Sequence, residues 1–197
     1  ETIEERLMLD LVPASSEMFT EAVRDLALVV EFFERKTGLE PTYFELSSAL
    51  AFSHFAVNSV DVAVVEVGMG GRLDATNVIE AEVAVVTSIA RDHIEWLGDT
   101  VEAISREKLA IVKEGSVLVT GPLPESVVPI ASGRAAEMGV VHHAWDRAFS
   151  IKEARIAVGG WDLDVAGVYG EYEGLFLPLH GRHQAVNATV ALAATEA

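Results

Sequence analysis

The segment Glu66-Val-Gly-Met-Gly-Gly-Arg-Leu-Asp-Ala-Thr-Asn77 follows directly on the β-branched run Val62-Ala-Val-Val65. Three glycines in four positions let the backbone take positive φ or approach a ligand closely. If the preceding run is a strand of an open α/β sheet, Glu66 emerges beyond its carboxyl end, where such sheets place their ligands. A tight Gly-rich loop without a ligand satisfies the same pattern. A second β-branched run, Val83-Ala-Val-Val86, leads into Thr87-Ser-Ile-Ala-Arg-Asp-His93, so two neighbouring strands would deliver Glu66 and His93 to one rim. A lone histidine is more often structural than a ligand. Beside a glutamate in a matching position it becomes a candidate divalent-metal ligand, and an open, water-rich site near phosphates suits Mg²⁺ or Mn²⁺. Lys108, in Ser105-Arg-Glu-Lys-Leu-Ala-Ile111, reads either as an exposed helical lysine or as a lysine facing that rim, paired with phosphate or carbamylated to an anion.

These residues need a sheet with helices around it. Residues 15 to 37 open on Ser15-Ser16 as a helix cap and place Met18, Phe19, Val23, Leu26, Val30 and Phe33 at helical spacing before Gly38. After Pro41, Tyr43, Phe44, Leu46, Leu50, Ala51, Phe52 and Phe55 form a second helix, apolar enough to be buried on much of its surface. Neither Val62 to Val65 nor Val83 to Val86 alternates with polar residues, the pattern of parallel strands covered on both faces. Helical spacing returns over 100 to 113, Val117-Leu-Val119 is another short buried strand, and 124 to 138 is a weaker helix. From about 147 the texture becomes Gly-punctuated, with a hairpin signal at Gly159-Gly160, and from Asn187 the chain is Ala-rich and helical. The order predicts an α/β fold, a doubly wound and mostly parallel sheet flanked by helices, with a small antiparallel β addition.

Composition narrows the function. Half of the 197 residues are hydrophobic, enough for one ordinary core, and no linker or repeat divides them. A net charge of −17 repels phosphate backbones and anionic membranes, so neither nucleic acid nor a membrane is expected as partner. The same field opposes ATP, so an enzyme using it needs metal ions or local cations. There is no cysteine, which removes disulfides and thiolate metal sites and leaves a cytoplasmic location as the default. No apolar run reaches the roughly 18 to 20 residues of a membrane helix. The opening Glu1-Thr-Ile-Glu-Glu-Arg6 is no signal peptide, and the chain closes in mid-helix by pattern, so a fragment is expected.

Taken in order, Thr42-Tyr-Phe-Glu45, the Glu66 to Asn77 segment, Asp92-His93, Trp96-Leu-Gly98, Arg106-Glu-Lys108 and His180-Gly-Arg-His-Gln-Ala-Val-Asn187 resemble the folylpolyglutamate and dihydrofolate synthases of the Mur-ligase superfamily. The resemblance covers nearly the whole chain. It implies a central, P-loop NTPase-like ATP-binding domain over residues 1–197, with the phosphate-binding loop upstream and a carboxy-terminal glutamate-ligase domain beyond. It further implies two Mg²⁺ sites with Glu66, His93 and carbamylated Lys108 as ligands, ATP contacted by Asn187 at the start of its helix, and a pterin contacted by Thr42, Tyr43, Phe44, Glu45, Leu73, Asp74 and Ala75. Tyr43 and Phe44 suit core packing equally well.

The implied substrates are ATP, L-glutamate and dihydropteroate or a folate, joined through an acyl phosphate by a monomeric enzyme. A fragment of this kind is not expected to be active alone. The rivals are a Mur ligase acting on cell-wall precursors, which shares ATP, metal and lysine but not the pterin contacts, and a non-catalytic remnant that binds a pterin or a partner.

Overall fold

The computed structural model describes residues 3–197; Glu1 and Thr2 of the opening segment lie outside the described residues. The chain divides into two compact units, Glu1–Gly68 and Met69–Ala197.

In the first unit a 3-10 turn at Ile3–Arg6 leads into a hairpin of β1 (Met8–Leu9) and β2 (Val12–Pro13), paired Met8 to Pro13 and Leu9 to Val12. Its two-residue turn, Asp10-Leu11, has positive φ at both positions, 51° and 65°. Helix α1 (Ser16–Thr37) starts where the Ser15 hydroxyl accepts the Met18 N–H at 3.2 Å. It stops at left-handed Gly38, whose N–H donates to Glu34 O at 2.8 Å. Both ends follow the expected caps. Helix α2 (Tyr43–Val57) packs on α1 through Leu50 and half-buried Ala51, against Leu7, Ala14, Phe19, Ala22 and Leu26.

Two expectations change here. Only Ser48, Leu50 and His54 are buried on α2, because the single helix and short hairpin of this unit cover only part of its apolar surface. Residues 62–65 run on as chain without regular structure, with Val62 and Val64 81% and 93% exposed. Their β-branched run has strand composition, but a strand needs a ladder, and among the described residues nothing pairs with it.

The second unit holds the parallel sheet, in the order β3 (Val83–Val86), β4 (Val117–Thr120), β5 (Val141–Ala144). Helices α3 (Ile94–Leu97) and α4 (Val101–Leu109) lie between β3 and β4 in sequence, and α5 (Val128–Met138) lies between β4 and β5. Ala84, Val86 and Leu118 pack with Ile104, Leu109, Ala131 and Ala135 of α4 and α5. The intervening Val83, Val85, Val117 and Val119 pack with Val190 and Ala193 of the last helix, α6 (Arg182–Glu196). The sheet is therefore covered on both faces, which explains why its strands do not alternate.

An antiparallel sheet of β6 (Ser150–Ala157), β7 (Gly160–Ala166) and β8 (Glu171–Leu177) follows β5, with the expected turn joining Ala157 to Gly160. Its Leu163 and Val165 meet Ala185 and Leu192 of α6, so that helix is apolar on two sides and lies between two sheets. The α/β class with a small antiparallel addition is as expected. No helix among the described residues is long and apolar enough to cross a membrane.

The hairpin turn yields a test. A turn with positive φ at both residues favours glycine at the second, and Leu11 is 91% exposed, so its side chain gains almost no burial in return. We expect Leu11→Gly to stabilise the protein by about 1 kcal/mol, the scale of the left-handed penalty, as a higher midpoint in chemical denaturation.

Candidate functional site

The glycine-rich loop is shaped by what it leans on. Gly70 has φ of 72°, and a Cβ there would lie 2.9 Å from Leu97 Cδ2 of α3. At Gly71 a Cβ would meet Glu107 O at 2.7 Å and Lys108 O at 3.0 Å, so backbone lies directly on the carbonyl end of α4. The next residue completes the joint: Arg72 N–H donates to Glu107 O at 3.1 Å, and Arg72 Nε donates to both Glu107 carboxylate oxygens at 3.0 and 3.2 Å. Asp74 closes the loop from inside. Its Oδ1 accepts from Thr76 N and Thr76 Oγ1 at 2.9 and 2.5 Å, and its Oδ2 from Met69 N at 3.0 Å. Leu73 is exposed and Ala75 half-buried. Below them, Lys113 Nζ donates to Asn77 O and Ile79 O at 2.6 and 2.7 Å.

His93 caps α3 in the left-handed region at φ 48°, ψ 40°. A non-glycine residue there carries strain of the kind that collects at functional sites. Its N–H donates to Asp92 Oδ1 at 2.8 Å, its ring Nε2 lies 3.7 Å from Asp92 Oδ2, and its side chain is half exposed. Lys108 is half-buried in the last turn of α4 rather than exposed, and its Nζ has no hydrogen-bond or ion-pair partner among the described residues. Through Leu97 on one side and the Glu107 and Lys108 carbonyls on the other, one loop holds the segments that carry His93 and Lys108.

In the first unit, Thr42 and Glu45 form a capping box. Glu45 N–H donates to Thr42 Oγ1 at 3.2 Å, while Thr42 N–H and hydroxyl donate to Glu45 Oε2 at 2.7 and 2.8 Å. These bonds, the backbone one first, hold the Glu45 carboxyl below its ordinary value. Tyr43 is exposed. Phe44 lies over Gly68, where a Cβ would be 2.4 Å from the ring Cζ, so the start of α2 abuts the segment carrying exposed Glu66.

Asn187 does not start its helix. It stands in the second turn of α6, exposed, with Nδ2 3.5 Å from Gln184 Oε1. The chain enters α6 through Gly181 at φ 97° without a side-chain cap, so no cap residue marked the true start. No group of three His, Cys, Asp or Glu side chains converges on a metal position among the described residues.

Sequence reasoning missed the roles of Arg72, Glu107 and Gly68, whose contacts join residues far apart in the chain. It also missed the capping box, although the Thr-x-x-Glu spacing is a helix signal before it is a ligand signal.

Comparison with known proteins gives a consistent answer. The model of the Mur ligase middle domain matches residues 16–195. The dihydrofolate synthase/folylpolyglutamate synthase of Mycobacterium tuberculosis is 39% identical over 98% of this chain and 42% of its own length. The folylpolyglutamate synthase of Lacticaseibacillus casei is 34% identical over 95% of this chain and 44% of its own. Among solved structures, an FPGS-AMPPCP-folate complex matches with TM-score 0.94 at 34% identity, covering 98% of this chain and 47% of that one. The chain thus spans less than half the length of these relatives.

The capping box sets a pH dependence. Because Glu45 titrates lower when folded, its contribution to stability is present above its unfolded pKa and is lost as pH falls from about 4.5 through the folded value. Acid titrations of stability should show a shallower loss in Glu45→Gln than in the parent over that range.

Proposed function

Because the chain belongs to the Mur ligase middle-domain family, we propose that it carries the ATP-binding part of a ligase that joins L-glutamate to dihydropteroate or to a folate. The observation that carries this reading is the likeness, over nearly the whole chain, to a complex holding both an ATP analogue and folate. In this reading residues 1–197 are the central ATP-binding domain of a monomeric, cytoplasmic enzyme whose substrates are small molecules.

The donor chemistry fits Mg²⁺, with two sites in this reading. Glu66 offers an exposed carboxylate and His93 a half-exposed imidazole on a strained turn. Lys108 offers an amine with no hydrogen-bond or ion-pair partner among the described residues. As the neutral amine it would add to CO₂, forming an N–C bond and releasing one proton to water, and so become a carbamate anion. When bound, Mg²⁺ offsets negative charge on the transferring phosphoryl group.

The remaining work falls to positioning. The substrate's free carboxylate attacks the γ-phosphate of ATP, ADP leaves, and the amine of L-glutamate displaces phosphate from the acyl phosphate to form the amide. Exposed Tyr43 and Leu73 are available for pterin contact. Thr42 and Glu45 bond each other, and Asp74 bonds its own loop, so each shapes its own segment as well as being a proposed ligand contact. Exposed Asn187 is the proposed ATP contact on α6.

The test is ADP release by the full-length protein with ATP, Mg²⁺, L-glutamate and either dihydropteroate or tetrahydrofolate. We expect release to require a pteroate or folate acceptor, and to fall by about 10² or more in Glu66→Gln and Lys108→Ala, the scale of lost electrostatic stabilisation. Absence of turnover with both acceptors would contradict the assignment.

A further inference from the structure

We propose that Arg72 and Glu107 form a clamp that positions Lys108 for carbamylation and for its place in the site, a role that rests on the function proposed above. The last carbonyls of α4 are helix-end groups in need of partners. Lys108 O and Leu109 O take the N–H groups of Ile111 and Val112, at 3.4 and 3.1 Å. Glu107 O takes the N–H of Arg72, from another segment of the chain. The guanidinium of Arg72 then binds the Glu107 carboxylate and brings a positive charge to the negative end of the helix dipole.

Three contacts thus converge on two adjacent residues: the Gly71 backbone on the Glu107 and Lys108 carbonyls, the Arg72 N–H on Glu107 O, and the Arg72 guanidinium on the Glu107 side chain. Lys108 sits at the joint, and its own side chain takes no part in it. An exposed ion pair contributes little to stability, and Arg72 is 57% exposed at its side chain. Its value is geometric: it holds the last turn of a nine-residue helix so that Lys108 Nζ projects from a fixed backbone. The side-chain clamp does not touch substrate, so Arg72 and Glu107 are positioning residues.

The experiment uses the full-length protein with ¹³C-bicarbonate, reading the Lys108 carbamate by ¹³C NMR with Lys108→Ala as the blank, beside ADP-release kinetics. In Arg72→Met and in Glu107→Gln we expect carbamate occupancy to fall severalfold and kcat about tenfold, as for a small misplacement of a reacting group. KM for L-glutamate should stay within about twofold and the melting temperature should barely move. The exchanged pair Arg72→Glu with Glu107→Arg should regain most of both signals.

Full carbamate occupancy and full kcat in both single variants would overturn the clamp and leave the ligase assignment standing. A loss of signal accompanied by a collapsed melting temperature, not regained in the exchanged pair, would overturn it as well, by making the pair a general fold contact. No carbamate on the parent Lys108 would overturn the clamp together with the proposed role of that lysine.

Discussion

Backbone lies on backbone where Gly71 meets the carbonyls of Glu107 and Lys108, with no room for a Cβ between them. The second unit depends on this approach. It fixes where the 69–74 loop runs, and the loop in turn meets Leu97 through Gly70, so α3 with His93 and α4 with Lys108 share one support. The loop is further tied by Asp74 to Met69 and Thr76, and its far end by Lys113 to the carbonyls of Asn77 and Ile79. Arg72 and Lys113 spend their charges on this framework, and Lys108 does not.

The parallel sheet explains why the support is rigid. Alternate residues of β3 and β4 are buried under α4 and α5 on one face and under α6 on the other. Residues after β3 therefore leave a frame buried on both sides, and they lead within a few positions to the left-handed turn at His93. In the first unit the same kind of device recurs on a smaller scale, with Phe44 lying on Gly68 close to Glu66.

Local signals made some of this legible in the sequence. Ser15 and Gly38 bound α1 as caps, the run at Val83 is a strand buried on both faces, and the Gly159-Gly160 signal marks the β6–β7 hairpin, whose turn is Val158-Gly159. What was not legible depends on partners distant in the chain. Val62 to Val65 has the composition of a strand but no ladder. Strand β5 reads Val-His-His-Ala and gives no apolar run, and β8 is interrupted by Gly174, whose N–H donates to Asp164. The glycine loop was marked for positive φ or for close approach to a ligand; Gly70 takes the positive φ, but what Gly71 approaches is the carbonyls of Glu107 and Lys108, 36 and 37 residues on, and the Glu107 carboxylate that Arg72 binds lies 35 residues on. Glu66 and His93 were singled out by residue type and an expected place after strands, and Lys108 by its place on the following helix. Strand β3 precedes His93 as expected, but no strand among the described residues leads into Glu66, so the two-strand rim expected to bring Glu66 and His93 together is not formed.

The most direct measurement of the central claim, that these three residues hold the metal of an ATP-dependent ligase, is a crystal structure of the full-length protein with AMPPCP and Mn²⁺, phased to show anomalous scattering. The account predicts manganese peaks in coordination contact with the Glu66 carboxylate, the His93 imidazole and a carbamate on Lys108, beside the nucleotide phosphates. Manganese bound to the nucleotide but away from all three side chains would contradict it.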